Sequence, residues 1–309
     1  MLGKSELRLL QTLQKYGEGV TISTLSQSME ISLSRTSELV NSLQQKGFIK
    51  VERVNKKKHV SFADTKHAQL IRDLFERFGY MDFSGIISGE TLSVLWVLDK
   101  ERNVKEITSI SGISRASVHR ILKRLMERGI VRKDSKYSLI PDFILLNEIA
   151  REMVHYFHRK KARELSPRAI VVWEGLREFI VKAPEAVKHK NFHLTGPSKL
   201  GDYGVPLLLT GTSYYFYSEK KKSIDIHDVI IHTLLIDARS TRYITYLLIL
   251  LAKNRVDEKL LLKRAEEYDV AKEAKALINF LRNRGRHRAK HFPTWREFSE
   301  KAKAYGVAV

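Results

Sequence analysis

Ile22 to Lys50 reads ISTLSQSMEISLSRTSELVNSLQQKGFIK, and Val104 to Arg132 reads VKEITSISGISRASVHRILKRLMERGIVR. Shifted by 82 residues, the two stretches superpose without a gap. Leu25 falls on Ile107, Ile31 on Ile113, Ser32 on Ser114, Leu39 on Ile121, Leu43 on Leu125 and Gly47 on Gly129. Apolar residues at helical spacing precede each copy, Leu7, Leu10 and Leu13 in the first and Leu92, Leu95 and Leu98 in the second. A repeat of this kind lets the reading of one unit constrain the other.

Both copies share one grammar. An amphipathic helix leads to a short helix, about residues 21–29 and 104–111. A tight turn then reaches Ser32 or Ser114, whose hydroxyl suits the exposed amides at the start of a third helix. That helix runs to Gly47 or Gly129, where glycine permits a left-handed exit. The stretches FIKVERVNKKKHVSF and IVRKDSKYSLI alternate as β-hairpins with basic tips. Helix, helix, turn, helix and two-stranded wing is the order of a winged helix-turn-helix. Over roughly residues 3–63 and 88–141 both copies resemble winged-helix regulators of the MarR and ArsR type. The shared signature is Ile-Ser, six residues, an aliphatic pair, a leucine three on and a glycine four further. The resemblance implies double-stranded DNA as the partner.

Composition is compatible with that partner. The chain has 309 residues, 43% hydrophobic and 29% charged, which is the range of a folded protein and suggests about two domains. With no cysteine it has no disulfide framework, thiolate zinc site, iron–sulfur cluster or thiol nucleophile. A net charge of +20 favours a polyanion, nucleic acid before membrane surface. The excess is even, +9 over residues 1–141 and +11 over 142–309, so local pattern has to carry the argument. The opening MLGKSELRLLQTLQ is broken by charges, unlike a signal peptide. The longest apolar run, Tyr246 to Ala252, is far short of the roughly 20 residues of a membrane span. The expectation is a cytoplasmic protein with no membrane partner.

In a winged helix the third helix enters the major groove, and its exposed N-terminal residues reach base edges. Spacing puts Thr36, Leu39, Val40 and Leu43 in the core and leaves Ser34, Arg35, Ser37, Glu38 and Asn41 outward. In the second copy Val118, Ile121, Leu122 and Leu125 are core, leaving Arg115, Ser117, His119, Arg120, Lys123 and Arg124 outward. Arginine pairs bidentately with guanine, while lysine and serine more often hold phosphate. Residues Ser32 to Lys46 carry a net +1 and Ser114 to Arg128 a net +4. The first wing compensates with Lys56, Lys57 and Lys58, and the second offers Lys136. The second copy is the expected base reader, and the first wing the expected phosphate clamp.

Residues 64–84 form a linker with Leu70, Ile71, Leu74, Phe75 and Phe78 on one helical face. That face either packs the two copies together or forms the seam of a homodimer. From 142 to 309 the chain reads as one α+β domain with a helical tail. A helix over 142–161 precedes a buried strand at 169–175, and a loop or short capped helix occupies 191–206. Strands are expected at 212–218 and within SIDIHDVIIHTLLI, then helices at 240–253, 256–268, 270–284 and 294–304. HLTGPSKLGDYGVPL, IIHTLLI and RAEEYD resemble the nucleotidyltransferase-like domains of AbiEi-type antitoxins. The resemblance implies a Gly196–Ser198 phosphate turn and a carboxylate pair, Asp225 and Asp228, for Mg²⁺. A proline parts the glycine from the serine, and His227 stands where a second carboxylate is expected. Imidazole is a poor Mg²⁺ ligand, so the domain reads as non-catalytic, with no metal and no cofactor. The pairs His155/His158, His189/His193, His227/His232 and His287/His291 lack the context of a zinc site.

The expectation is an α+β protein of four parts: winged helix 1–63, linker helix 64–84, winged helix 85–141 and C-terminal domain 142–309. Its expected role is a DNA-binding transcriptional regulator. The C-terminal domain is left for sensing a small-molecule or protein effector, or for dimerisation. An antitoxin and a nucleotidyltransferase recruited to nucleic acid are the alternative readings.

Overall fold

A computed structural model describes residues 2–17, 19–55, 57–184 and 189–308. The chain is of mixed α+β class and divides into two compact units, residues 1–157 and 158–309.

The first unit opens with α1 (Lys4–Tyr16), β1 (Val20–Thr21), α2 (Ile22–Met29), α3 (Leu33–Gln45), β2 (Ile49–Val54) and β3 (Lys57–Phe62). After α4 (Lys66–Arg77) and α5 (Phe83–Ile86) come α6 (Thr91–Val97), α7 (Val104–Ser111), α8 (Arg115–Glu127), β4 (Val131–Lys133) and β5 (Tyr137–Leu139). Both ends of α2 and α7, and of α3 and α8, lie 82 residues apart. The local chemistry explains why. Ser32 Oγ accepts from the Arg35 amide and Ser114 Oγ from the Ser117 amide, capping α3 and α8. Left-handed residues end the preceding helices, Glu30 at φ 55° and Gly112 at φ 67°. Even the third strand has its counterpart. Val20 pairs with Val60 in the first copy, and Arg102, 82 positions on, bridges Tyr137 in the second. The wings differ in length, with strands of six residues in the first and three in the second.

One apolar core joins these elements, from Leu7, Leu10 and Leu13 of α1 through Leu92 and Leu95 of α6 to Leu125 of α8. The linker belongs to it. Leu70, Ile71, Leu74 and Phe75 are all buried within the chain, and Phe78 stacks on Phe143 with ring centroids 4.9 Å apart. Gln11 donates to the Met81 carbonyl and Gln14 to Glu76, tying α1 to this segment. A dimer seam over Leu70–Phe78 is thereby ruled out, because the chain itself already covers that face. The segment is also not one helix, since α4 stops at Arg77 and α5 begins at Phe83.

The long helix α9 (Ile144–Leu165) carries the division between the units, at Phe157/His158 rather than at 141/142. In the second unit, β6 (Ile170–Glu174), β7 (Phe179–Ala183), β8 (Phe192–Leu194) and β9 (Ser213–Tyr217) form an antiparallel sheet of order β6-β7-β9-β8. A 3₁₀ segment, Gly196–Tyr203, separates β8 from β9. Five helices follow: α10 (Ile226–Asp237), α11 (Thr241–Lys253), α12 (Glu258–Glu267), α13 (Ala271–Arg282) and α14 (Trp295–Lys303). One sheet face, with Ile180, Tyr214 and Phe216, joins the helical core, and the other packs Phe179, Val181 and Tyr215 with Ala162. Two expectations are corrected. The strand at 169–175 is an edge strand rather than a buried one, with Ile170 63% exposed. SIDIHDVIIHTLLI holds no strand but α10, started by the reciprocal cap of Asp225 and Asp228. Val229, Ile230, Ile231 and Leu234 are buried around most of its circumference, which erases the amphipathic signal of a helix.

Two stability tests follow from this packing. Gly47 (φ 74°) and Gly129 (φ 65°) both turn left-handed, but a Cβ at Gly129 meets nothing within 4 Å, whereas one at Gly47 would stand 2.5 Å from Cζ of Tyr156. Gly129→Ala should cost about 1 kcal/mol from backbone strain, and Gly47→Ala a further 1–3, roughly, from overpacking. Equal losses in urea unfolding would contradict the contact. The second test concerns Glu6, a buried carboxylate that accepts from the Gly3 amide at 2.6 Å, Ser42 at 2.6 Å and Lys46 at 2.6 and 2.8 Å. Burial raises its pKa, but these hydrogen bonds and the Lys46 charge carry it below the ordinary 4.5. A depressed native pKa gives stability that is complete above the unfolded value and lost as pH falls through the native one. Glu6→Ala should cost about 2 kcal/mol at neutral pH. Glu6→Gln should flatten the loss of stability below about pH 4.5 in acid titration of the folded state.

Candidate nucleic-acid interface

The face of α8 opposite the core is built from its N-terminus upward. Val118, Ile121, Leu122 and Leu125 are buried, which turns Arg115, His119, Arg120 and Lys123 into solvent, and all four are exposed. Arg115 and Arg120 have no carboxylate partner among the described residues. Lys123 lies 4.0 Å from Glu127 with 76% of its side chain exposed, a contact too open to hold it. Ser117 is half-buried, with its amide on the Ser114 cap.

Arg124 departs from expectation. Its Nη2 donates to Oγ1 of buried Thr91, and its Nε is buried without a partner among the described residues. The guanidinium is therefore turned back toward the start of α6 rather than held outward with Arg120. Lys136, at the second wing, is 3.8 Å from Glu106, so part of its charge faces α7.

On α3, Ser34 and Asn41 are exposed and Ser37 is half-buried. Arg35 donates to Glu38 at 2.7 Å, an exposed pair that sets a carboxylate beside the one cation of that helix start. Leu33 beside it is 55% exposed, an apolar side chain where the second copy has Arg115. The first wing is more strongly basic. Lys57 and Lys58 are exposed, while Lys56 lies outside the described residues. Strand register adds a residue that sequence reasoning missed, for Arg53 stands directly opposite Lys58. Like charges facing each other across strands repel, and an anion between them would relieve that. The signal was available, since a short turn after Val54 fixes the register, but it needed the strand ends.

Clefts lie at positions of the two stretches related by the 82-residue shift. In the second copy a cleft of about 520 Å³ is lined by Glu90, Thr91, Ser117, Arg120, Lys123 and Arg124. In the first, one of about 390 Å³ is lined by Lys4, Glu6, Arg35, Glu38 and Ser42. Across the 82-residue shift, Glu38 becomes Arg120 and Ser42 becomes Arg124. The first cleft sets two cations against two carboxylates, and the second sets three cations, Arg120, Lys123 and Arg124, against Glu90 and Glu127.

In the second unit the carboxylates that a metal would need are engaged. Arg264 Nη1 donates to both oxygens of Asp225, at 2.9 and 2.7 Å, and to Asp228 at 3.3 Å. Lys221 also bonds Asp228, which is buried. Burial raises the Asp225 carboxyl, but the Asp228 amide and Arg264 hold it below its ordinary value. Ser198 Oγ accepts from the Tyr214 amide at 2.8 Å, and a Cβ on Gly196 would stand 2.8 Å from Cδ1 of Ile236. The Gly196 turn thus packs against α10 instead of lying open for a phosphate. His232 is bonded to Thr195 and His193 to the Lys221 carbonyl. Among the described residues no group of three or more metal-ligating side chains converges.

Among the described residues no helix is long and apolar enough to cross a membrane. No curated protein matches the chain. A family model, HVO_2833_C, described only as C-terminal, matches residues 189–307, from just before β8 to beyond α14. The model of the IclR helix-turn-helix domain matches residues 91–135, from the first residue of α6 to the tip of the second wing. The chain therefore contains a helix-turn-helix domain, and the cationic face of α8 belongs to it, as in a DNA-binding regulator.

Proposed function

We propose that this chain is a transcriptional regulator that engages duplex DNA through two winged helices, residues 1–63 and 85–141, joined by the 64–84 segment. The α8 helix reads bases, with Arg115 and Arg120 as the forks that suit guanine and His119 and Lys123 beside them. Lys57 and Lys58 of the first wing hold phosphate, with Ser34, Ser37 and Asn41 as weaker polar contacts. The second unit, residues 158–309, serves sensing, dimerisation or partner binding. One observation carries the reading: α8 presents Arg115, Arg120 and Lys123 from a single exposed face, on the domain that matches a helix-turn-helix family.

Replacing Arg115, Arg120 and Lys123 together by Ala should weaken binding to a genomically selected duplex. It should also lower the slope of log affinity against log salt by about one unit per phosphate contact removed. Affinity unchanged from 50 to 300 mM salt, roughly the range where such contacts matter, would remove α8 from the interface. Lys57→Ala with Lys58→Ala should weaken all sequences alike, since phosphate contacts carry no base information. The two copies also predict the shape of the site. Leu33 faces Arg115 across the repeat, Arg35 faces Ser117 and Glu38 faces Arg120, so the two helices cannot select the same bases. Footprinting of a protein shown to be monomeric by mass should give an asymmetric site. A monomer protecting a perfect palindrome would contradict the unequal reading.

A further inference from the structure

The second unit carries a basic segment that the winged helices do not explain. Arg282, Arg284, Arg286, Arg288 and Lys290 alternate with Asn, Gly, His and Ala, five cations in nine residues without an acid. All five are exposed. Arg282 is paired with Glu258, and Arg288 donates to the Phe292 carbonyl at 2.8 Å. Arg284, Arg286 and Lys290 have no carboxylate partner among the described residues.

The loop is also held in shape. The Gly285 amide donates to Phe280, that of Arg286 to Asn283 and that of Phe292 to Ala289, at 2.9 to 3.0 Å. Arg284 and His287 sit at φ 46° and 60°, a region that side chains other than glycine rarely enter. Beneath the loop Phe280, Phe292, Trp295 and Phe298 pack with ring centroids 5.2 to 5.8 Å apart. A slack loop relaxes mutual repulsion by spreading, and this one is fastened at both ends. Like charges fixed in place on a firm base suit a partner with closely spaced negative charge.

We infer that the Arg284–Lys290 loop is a second phosphate-binding surface, taking the backbone of duplex DNA without reading its bases. The choice of duplex rests on the DNA-binding reading above and on the rings. Single strands are gripped by stacking bases on open aromatic faces, and here Phe280, Phe292 and Phe298 are buried and Trp295 is half-buried. Guanidinium forks match phosphate oxygens in pairs.

The test uses the full chain, a random-sequence duplex and a single-stranded RNA of equal length, with anisotropy read from 50 to 300 mM salt. Combined Arg284→Ala, Arg286→Ala and Lys290→Ala should lower the duplex salt slope by about two to three units. Affinity at low salt should fall at least about tenfold, with the thermal melt unchanged because Arg282 and Arg288 are retained. Arg284→Lys with Arg286→Lys should keep most of the slope. Wild-type slope and affinity in the alanine variant would overturn the inference, whatever the α8 variant does. A loss in the loop variant with none in the α8 variant would sustain the loop and refute the α8 reading. RNA bound more tightly than duplex, and released by the alanine variant, would overturn the assignment to duplex DNA.

Discussion

A thirteen-residue helix that buries four residues in a core has one free face left, and its composition decides what the molecule can meet. For α8 that constraint is set by Val118, Ile121, Leu122 and Leu125, all buried. Among the side chains they turn outward are Arg115, Arg120 and Lys123, and the Ser114 cap fixes where the helix begins. Exposed charge on a rigid, capped helix loses less freedom on binding than charge on a loose segment. The hydrophobic core thus does two things at once, stabilising the unit and aiming the cations.

The two copies share backbone and differ in charge. Helices α2 and α7, and α3 and α8, begin and end at equivalent positions, a serine caps both α3 and α8, and even the Val20–Val60 pairing has its echo in Arg102–Tyr137. Yet the cleft beside α3 holds the buried Glu6 and the Arg35–Glu38 pair, whereas that beside α8 holds Arg120, Lys123 and Arg124. Core positions answer to packing and are tied to the backbone. Outward positions answer only to what they touch, and it is there that the two stretches differ in charge.

The first unit was readable because its periodicity, caps and glycines agree with one another. Ser32, Ser114, Gly47 and Gly129 each mark a boundary for a reason local to a few residues. The second unit resisted at the places where burial is two-sided. α10 packs apolar residues around most of its surface, so the run of isoleucines in DVIIHTLLI imitates a strand. The edge position of β6 depends on strand order, which no local pattern encodes. In the interface, the outward face of α8 followed from spacing, but the inward turn of Arg124 did not. A long flexible side chain chooses between solvent and a buried hydroxyl according to what tertiary packing brings near, here Thr91. The cross-strand neighbours Arg53 and Lys58 likewise needed the hairpin register.

The unequal wings have a consequence for how each copy tolerates change. Strands of six residues project about 20 Å and those of three about 10 Å, so the first wing is the longer lever. Losing one cross-strand pair from its tip leaves five of its six, Ile49–Phe62 through Arg53–Lys58. The second wing has three pairs in all, and the same deletion removes a third of its ladder. Mutation can therefore shorten, lengthen or recharge the first wing by small steps while the fold survives. The second has almost no length to give.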